Sequence, residues 1–217
     1  MGNDDSESTA LVAVTGFEPF AGRAKNRSWE LVRRLRGRPG VEVTRLPVDF
    51  RRLGAAVDRI VRTRPEAILM VGEAPGPVLR VEQIALNVAH ADRPDNAGRQ
   101  PRSEVVVSGG PLALRATWDA AAVAGRLHRD GIEASVSFHA GTYACNAALY
   151  RALHLARGAI PGDGGPAIGF LHVPETGDAG GPEGRQLFRA LGTGIEELLA
   201  ARREARADAN RRGDAPE

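Results

Sequence analysis

Leu11-Val12-Ala13-Val14-Thr15-Gly16 is a short apolar run rich in β-branched residues that stops at a glycine. Residues 26–35 then read as a helix, with Ser28 as a candidate cap and Trp29, Leu31, Val32 and Leu35 on one stripe. A second strand-like run, 41–46, meets Pro47, and residues 50–61 carry apolar side chains at helical spacing. Ala67-Ile68-Leu69-Met70-Val71 then ends at Gly72 as a doubly buried strand does. This strand–helix alternation predicts an α/β fold, a three-layer α/β/α sandwich around a largely parallel sheet.

Between residues 72 and 111 the alternation breaks. Extended segments at 78–88 and 104–107 flank the turn-rich Asp92-Arg93-Pro94-Asp95-Asn96-Ala97-Gly98, which predicts a hairpin-like insertion and a mixed sheet. The alternation resumes with a helix over 117–128 capped by Thr117, a strand over 132–138, a helix over 144–156 and a strand over 167–173. A last helix runs over 182–207 through Leu187, Phe188, Leu191, Ile195, Leu198 and Leu199. With 217 residues and 42% hydrophobic content the chain forms one core. A single domain over 10–208 is expected, with disordered tails at 1–9 and 209–217.

One cysteine cannot make an internal disulfide, so a reducing compartment, the cytoplasm, is expected. The acidic, polar residues 1–9 do not resemble a secretory signal, and every apolar run is interrupted well short of the ~18 residues a membrane span needs. Net charge is only +2, and nearly all the cations are arginine; their clusters at 33–38 and 202–212 lack interleaved aromatics or a nucleic-acid motif. Neither membrane nor nucleic acid is therefore an expected partner. No His-x-x-x-His, Cys-x-x-Cys, P-loop or Gly-x-Gly-x-x-Gly pattern is present, so no metal or cofactor is expected.

The lone thiol, Cys145, falls in Gly141-Thr142-Tyr143-Ala144-Cys145-Asn146, where a strand gives way to a helix. Unpaired N–H groups of a first helical turn favour thiolate over thiol, which makes Cys145 a candidate nucleophile; a small buried filler is the bland alternative. A cysteine hydrolase needs a base and a group that orients it. His172, at a strand end before Pro174, is one candidate base, since ligands of open α/β sheets gather at the carboxyl ends of strands; His139, in the nucleophile loop, competes with it. Glu82 sits in the otherwise apolar Val81-Glu82-Gln83-Ile84-Ala85-Leu86, where strand alternation turns it either inward, as an orienting acid, or into water.

Six segments in order resemble the pyroglutamyl peptidase I (pyrrolidone-carboxylate peptidase) family of cysteine peptidases. They are Thr15-Gly-Phe-Glu-Pro-Phe-Ala-Gly22, Asn26-Arg-Ser-Trp-Glu30, Glu82-Gln-Ile-Ala-Leu-Asn87, Pro94-Asp-Asn-Ala-Gly98, Ala140-Gly-Thr-Tyr-Ala-Cys-Asn146 and Gly169-Phe-Leu-His-Val-Pro174. The resemblance implies Cys145 as nucleophile, His172 as general acid/base and Glu82 as its orienting carboxylate. The implied reaction is release of pyroglutamate from a peptide with a blocked N-terminus, without a cofactor, by a homotetramer or homodimer.

On the substrate side the resemblance implies that Phe17 and Phe20 enclose the flat ring and that Tyr143 forms an aromatic wall where Phe is usual. Glu73 replaces an uncharged residue, Pro75-Gly-Pro77 a Gly-Gly-Arg-like turn, and His139 a Thr or Ser. Asp92 and Arg93 replace a basic residue and an apolar one, which puts Arg93 near the ring pocket. These departures prompt two alternatives: a cysteine amidase or peptidase with changed acyl specificity, and an inactive peptide-binding or structural homologue.

Overall fold

A computed structural model of the chain describes residues 12–157 and 165–213. The predicted tail at 1–9 and the end of the other, 214–217, lie outside the described residues, as does most of the glycine-rich loop before residue 167.

Five strands follow the expected order: β1 (Val12–Phe17), β2 (Val41–Leu46), β3 (Ala67–Ala74), β7 (Ala134–Ser137) and β8 (Ala167–Pro174). The insertion adds β4 (Leu79–Glu82), β5 (Ile84–Leu86) and β6 (Ala113–Arg115). The helices are α1 (Arg27–Val32), α2 (Phe50–Arg62), α3 (Ala120–Arg129), α4 (Ala144–Arg157) and α5 (Pro182–Gly213). The main sheet has the order β2-β1-β3-β8-β4-β7, so the last strand in the chain lies at its centre. β2, β1, β3 and β8 are parallel; β4 pairs antiparallel with β8 and parallel with β7, so these two run the other way.

Alternation along the strands divides the core by parity. Val12, Val14, Leu69, Val71, Leu171 and Val173 pack with α1, α3 and α5 on one face. Ala13, Ile68, Met70, Ile168 and Phe170 meet α2 and α4 on the other. These are the three layers expected from the sequence.

Some local readings differ. Asn26, not Ser28, caps α1: its side chain accepts from the Ser28 N–H at 3.0 Å. Asp119, not Thr117, caps α3; Thr117 instead donates from its backbone to the Ile168 carbonyl at 2.9 Å, pinning the start of α3 to β8. β5 pairs with β6 rather than with 104–107, which contributes a single bridge from Glu104 to Ala89. The signal for β6 is weak because three residues with only Leu114 buried cannot show alternation. α5 continues past residue 207 to Gly213, since Ala/Arg-rich sequence is helix-forming as well as solvated.

Candidate active site

Three strands set one row of residues side by side. Gly72 of β3 is the partner of His172 of β8, and His172 is the partner of Arg80 of β4. One step back, Met70, Phe170 and Glu82 form the next row. All six belong to the parity that faces α4.

Above this floor stands the N-terminus of α4. A Cβ added to Gly72 would lie 2.8 Å from Cys145 Sγ, 3.0 Å from His172 Cδ2 and 2.9 Å from the Phe170 ring. The thiol and the imidazole therefore converge on one point, which only a residue without a side chain leaves open. The route is not the one expected. β7 runs opposite to β8, so Cys145 and His172 do not share a carboxyl edge. The loop at 138–143, with Gly141 at φ +77°, brings the start of α4 over the sheet face instead.

His172 Nδ1 is 2.7 Å from Glu82 Oε1, both side chains buried. Glu82 has thus turned inward, the first of its two sequence alternatives. Its other carboxylate oxygen, Oε2, is buried without a partner, and Trp118 Nε1 fixes the strand by donating to the Glu82 carbonyl at 3.2 Å. A buried acid with one hydrogen bond is poor design for stability and a common feature of working sites. His139 is exposed at the cavity wall, its Nδ1 accepting from the Gly141 N–H at 3.2 Å, so it serves the nucleophile loop.

The electrostatics of Cys145 also depart from expectation. Burial pushes the thiol well above its ordinary range, and the Glu82 and Glu73 carboxylates push it further; its own N–H and Arg80 pull it back. Desolvation outweighs the Cys145 N–H and Arg80, which favours the thiol over the thiolate. The first helical bond of α4 runs from Ala147 N–H to the Tyr143 carbonyl at 3.1 Å. The N–H groups before it are the donors available to an anion here.

The cavity over this floor measures about 270 Å³ and is lined by Cys145, His172, Glu82, Phe17, Phe20 and Tyr143 among others. Tyr143 contacts Phe20 and lies edge-on to Phe50, with centroids 6.0 and 5.4 Å away. Its hydroxyl donates to the Pro94 carbonyl at 3.2 Å, and burial pushes its pKa up to about 12. Glu73 also lines the cavity; its carboxylate accepts from Arg23 Nη1 at 2.5 Å and from the Arg27 N–H at 2.7 Å. Its pKa is raised, because burial outweighs the Arg27 N–H and Arg23.

Arg93 is exposed and is not among the cavity-lining residues, although its charge acts on Tyr143 at the cavity wall; Asp92 beside it points into solvent with 97% of its side chain exposed. The Pro94–Gly98 turn explains this. Asp95 accepts from the N–H groups of Phe50, Ala97 and Arg99, and Asn96 donates to Glu18 Oε1 and the Pro19 carbonyl, so the turn is anchored by its other residues. The sequence reading missed Arg80, Val48, Ala74 and Pro75, which also line the cavity. The even-numbered alternation of Arg80 with Glu82 was the signal for the first of these.

Asn146, fully buried, ties this site to the insertion. Its Oδ1 accepts from the Leu86 N–H at 2.8 Å and its Nδ2 donates to the Leu86 and Val88 carbonyls at 2.9 Å each. Asn87 does the same for the far side of the insertion, through Val106, Val107 and Gly110.

Comparison with known proteins gives one answer throughout. The sequence profile described as pyroglutamyl peptidase matches residues 10–179. A pyrrolidone-carboxylate peptidase of Chromobacterium violaceum is 43% identical over 172 residues, covering 75% of this chain and 77% of the relative. One from Thermococcus onnurineus is 43% identical over 168 residues, covering 75% and 82%. Among solved structures, the pyrrolidone carboxyl peptidase of Thermococcus litoralis superposes with a TM-score of 0.81 at 30% identity, covering 91% of this chain and 96% of that one.

Proposed function

Because this chain belongs to the pyroglutamyl peptidase family, we propose that it works as a cysteine exopeptidase removing N-terminal pyroglutamate through Cys145, His172 and Glu82. The observation that carries the assignment of roles is the convergence of Cys145 Sγ and His172 on the space above Gly72, with His172 held by buried Glu82.

In this reading the thiol gives its proton to His172 as Sγ attacks the carbonyl carbon of the pyroglutamyl residue. The raised thiol pKa supports attack coupled to proton transfer over a preformed ion pair. The tetrahedral oxyanion takes hydrogen bonds from the N–H groups at the start of α4, where one donor is typically worth ~3 kcal/mol. Collapse breaks the C–N bond, His172 returns the proton to the leaving amine, and water, deprotonated by His172, hydrolyses the thioester. Glu82 holds the ring orientation and stabilises the imidazolium.

Phe17, Phe20 and Tyr143 enclose the flat ring, and a cavity of about 270 Å³ suits a five-membered lactam better than an extended side chain. Glu73, held by Arg23 and Arg27, presents an acceptor toward the lactam N–H. The substrate is a peptide with a pyroglutamyl N-terminus, and the enzyme acts in the cytoplasm as a homotetramer or homodimer. No helix among the described residues is long and apolar enough to cross a membrane.

Release of the fluorophore from pyroglutamyl-aminomethylcoumarin tests the assignment: wild type turns over and Cys145→Ala does not. Absence of turnover in the wild type, or full turnover in Cys145→Ala, overturns it. The charge of Glu73 in the cavity favours the second reading, a related cysteine amidase of changed acyl specificity. Its mark is a Cys145 that alkylates readily in a protein inert toward pyroglutamyl substrates. An inert thiol together with no turnover marks the third, a non-catalytic homologue.

A further inference from the structure

The cavity contains a cation that the three residues assigned above do not use. Arg80 is the one lysine or arginine among the described residues that line it. Its position is fixed by register: it is the direct antiparallel partner of His172, on the face that carries Glu82 two residues later. Neighbouring strands are about 4.8 Å apart, so Arg80 stands one strand from the base and two from Gly72, over which the sulfur lies. The side chain is half-buried, and among the described residues it makes no hydrogen bond or ion pair.

The other arginines behind this cavity are employed. Arg23 binds Glu73 and Glu175; Arg27 binds Glu183 and the Pro174 carbonyl. An arginine held half-buried in a cleft without a partner costs stability, and such groups persist where a negative charge arrives later. The segment that brings Arg80 here departs from the family resemblance, having Pro75-Gly-Pro77 in place of a Gly-Gly-Arg-like turn. Asp92 stands where that resemblance has a basic residue. Arg93 is exposed and reaches the site only through its charge on Tyr143, which leaves Arg80 as the cation that lines the cavity.

Taking the peptidase reading as its premise, we infer that Arg80 is a further catalytic residue, whose guanidinium opposes the negative charge that forms on the Cys145 sulfur and the tetrahedral oxygen. The charge is needed because the thiol is flanked by Glu82 and Glu73, while His139, Tyr143 and His172 are the remaining titratable groups that line the cavity. A positive group there stabilises the transition state more than the bound lactam, whose carbonyl carries only a partial charge. Arg80 already lowers the energy of the Cys145 thiolate in the resting site.

The test uses the full-length protein with Arg80→Gln, Arg80→Lys and Arg80→Ala, each checked for a cooperative thermal transition. Arg80→Gln is expected to lower kcat on pyroglutamyl-aminomethylcoumarin about 100-fold. Its KM and its inhibition by 2-pyrrolidone, a ground-state lactam, should stay within about 3-fold of wild type. Binding of pyroglutamyl aldehyde should weaken in step with kcat, because its hemithioacetal with Cys145 places an oxygen where the oxyanion forms. Added guanidinium should restore part of the Arg80→Ala rate.

An unchanged kcat in Arg80→Gln overturns the inference, as does equal loss of 2-pyrrolidone and aldehyde binding, which would make Arg80 a ground-state ligand of the ring. A second readout needs no turnover: the pH midpoint of iodoacetamide alkylation of Cys145 should rise by about one unit in Arg80→Gln. If wild type is inert toward pyroglutamyl substrates, the peptidase reading fails on its own, and an unmoved alkylation midpoint separately removes Arg80 from the site. Should Arg80→Gln fail to fold, Arg80→Lys carries the same comparisons, with a smaller loss expected because the positive charge is kept.

Discussion

Gly72 and His172 are register partners on adjacent central strands, and the missing side chain of the first is the space on which the ring of the second and the Cys145 sulfur converge. A methyl group at 72 would fall inside the contact distance of three groups at once, so Gly72→Ala must push Cys145, His172 or Phe170 aside. Overpacking of this kind costs about 1–3 kcal/mol of stability. The loss of activity should be larger, on the order of 100-fold, because misplacement by ~1 Å disables attack. Thermal unfolding and fluorogenic turnover measured on one preparation check this, and a Gly72→Ala enzyme with half the wild-type rate contradicts it.

Glu82→Gln keeps the volume of the side chain and an oxygen able to accept from His172, yet removes the charge. Turnover should fall by about 100-fold or more, while KM changes little, since in the proposed mechanism the carboxylate acts on the imidazolium of the transition state. Stability should change less than in Glu82→Ala, which leaves His172 Nδ1 buried and unpaired. Steady-state kinetics and denaturant melts of the two variants separate the effects.

Alkali should destabilise the fold in two stages. The Cys145 thiol, ordinarily near 9.0, is raised in the folded state, so its contribution is intact below that value and is lost as pH rises, because the unfolded chain ionises first. Tyr143 repeats the pattern between its ordinary 10.0 and about 12. Melting temperatures from pH 8 to 11.5 should therefore fall less in Cys145→Ala from pH 9 upward, and less in Tyr143→Phe from pH 10 upward. Parallel curves for all three proteins would refute the electrostatic account.

Asn146 satisfies its side chain with three bonds to the backbone of the insertion. Asn146→Ala orphans the Leu86 N–H and two carbonyls, with a cost of about 2–4 kcal/mol. Hydrogen exchange should show the amides of 84–88 losing protection before those of β3 and β8. Uniform loss across the sheet would mean that the insertion and the sheet open together.

Much of this architecture was legible because it rests on patterns that a single strand or helix displays. The apolar runs that became β1, β3 and β8, and the stripes of α2 and α5, are properties of contiguous sequence. Strand direction is not. The reversed β4 and β7 follow from which edges pair, so the route that brings Cys145 near His172 was misread although both residues were singled out. Alternation alone left Glu82 undecided between core and water; its burial depends on a partner 90 residues away. Aligned position does not report direction, and Arg93, on a turn anchored by Asp95 and Asn96, is exposed and does not line the cavity. Arg80 escaped notice because its alternation with Glu82 points it at the cavity only once Glu82 is known to turn inward.

The central place of β8 has a consequence for the order of assembly. This strand is the last among the described residues, yet it separates β3 from β4, and the residues on either side of His172 in the row over Gly72 are only eight apart in sequence. A nascent chain that has made everything through α4 already holds Cys145, Glu82 and Arg80, but has neither His172, the base of the proposed mechanism, nor the strand that spaces them. Closing that gap brings residues 167–174 between segments some 90 to 100 positions earlier, the kind of long-range pairing that makes folding slow. If His172 is the base as proposed, peptidase competence is withheld until the sheet closes, and a polypeptide released before residue 167 should be inert whatever else it has folded.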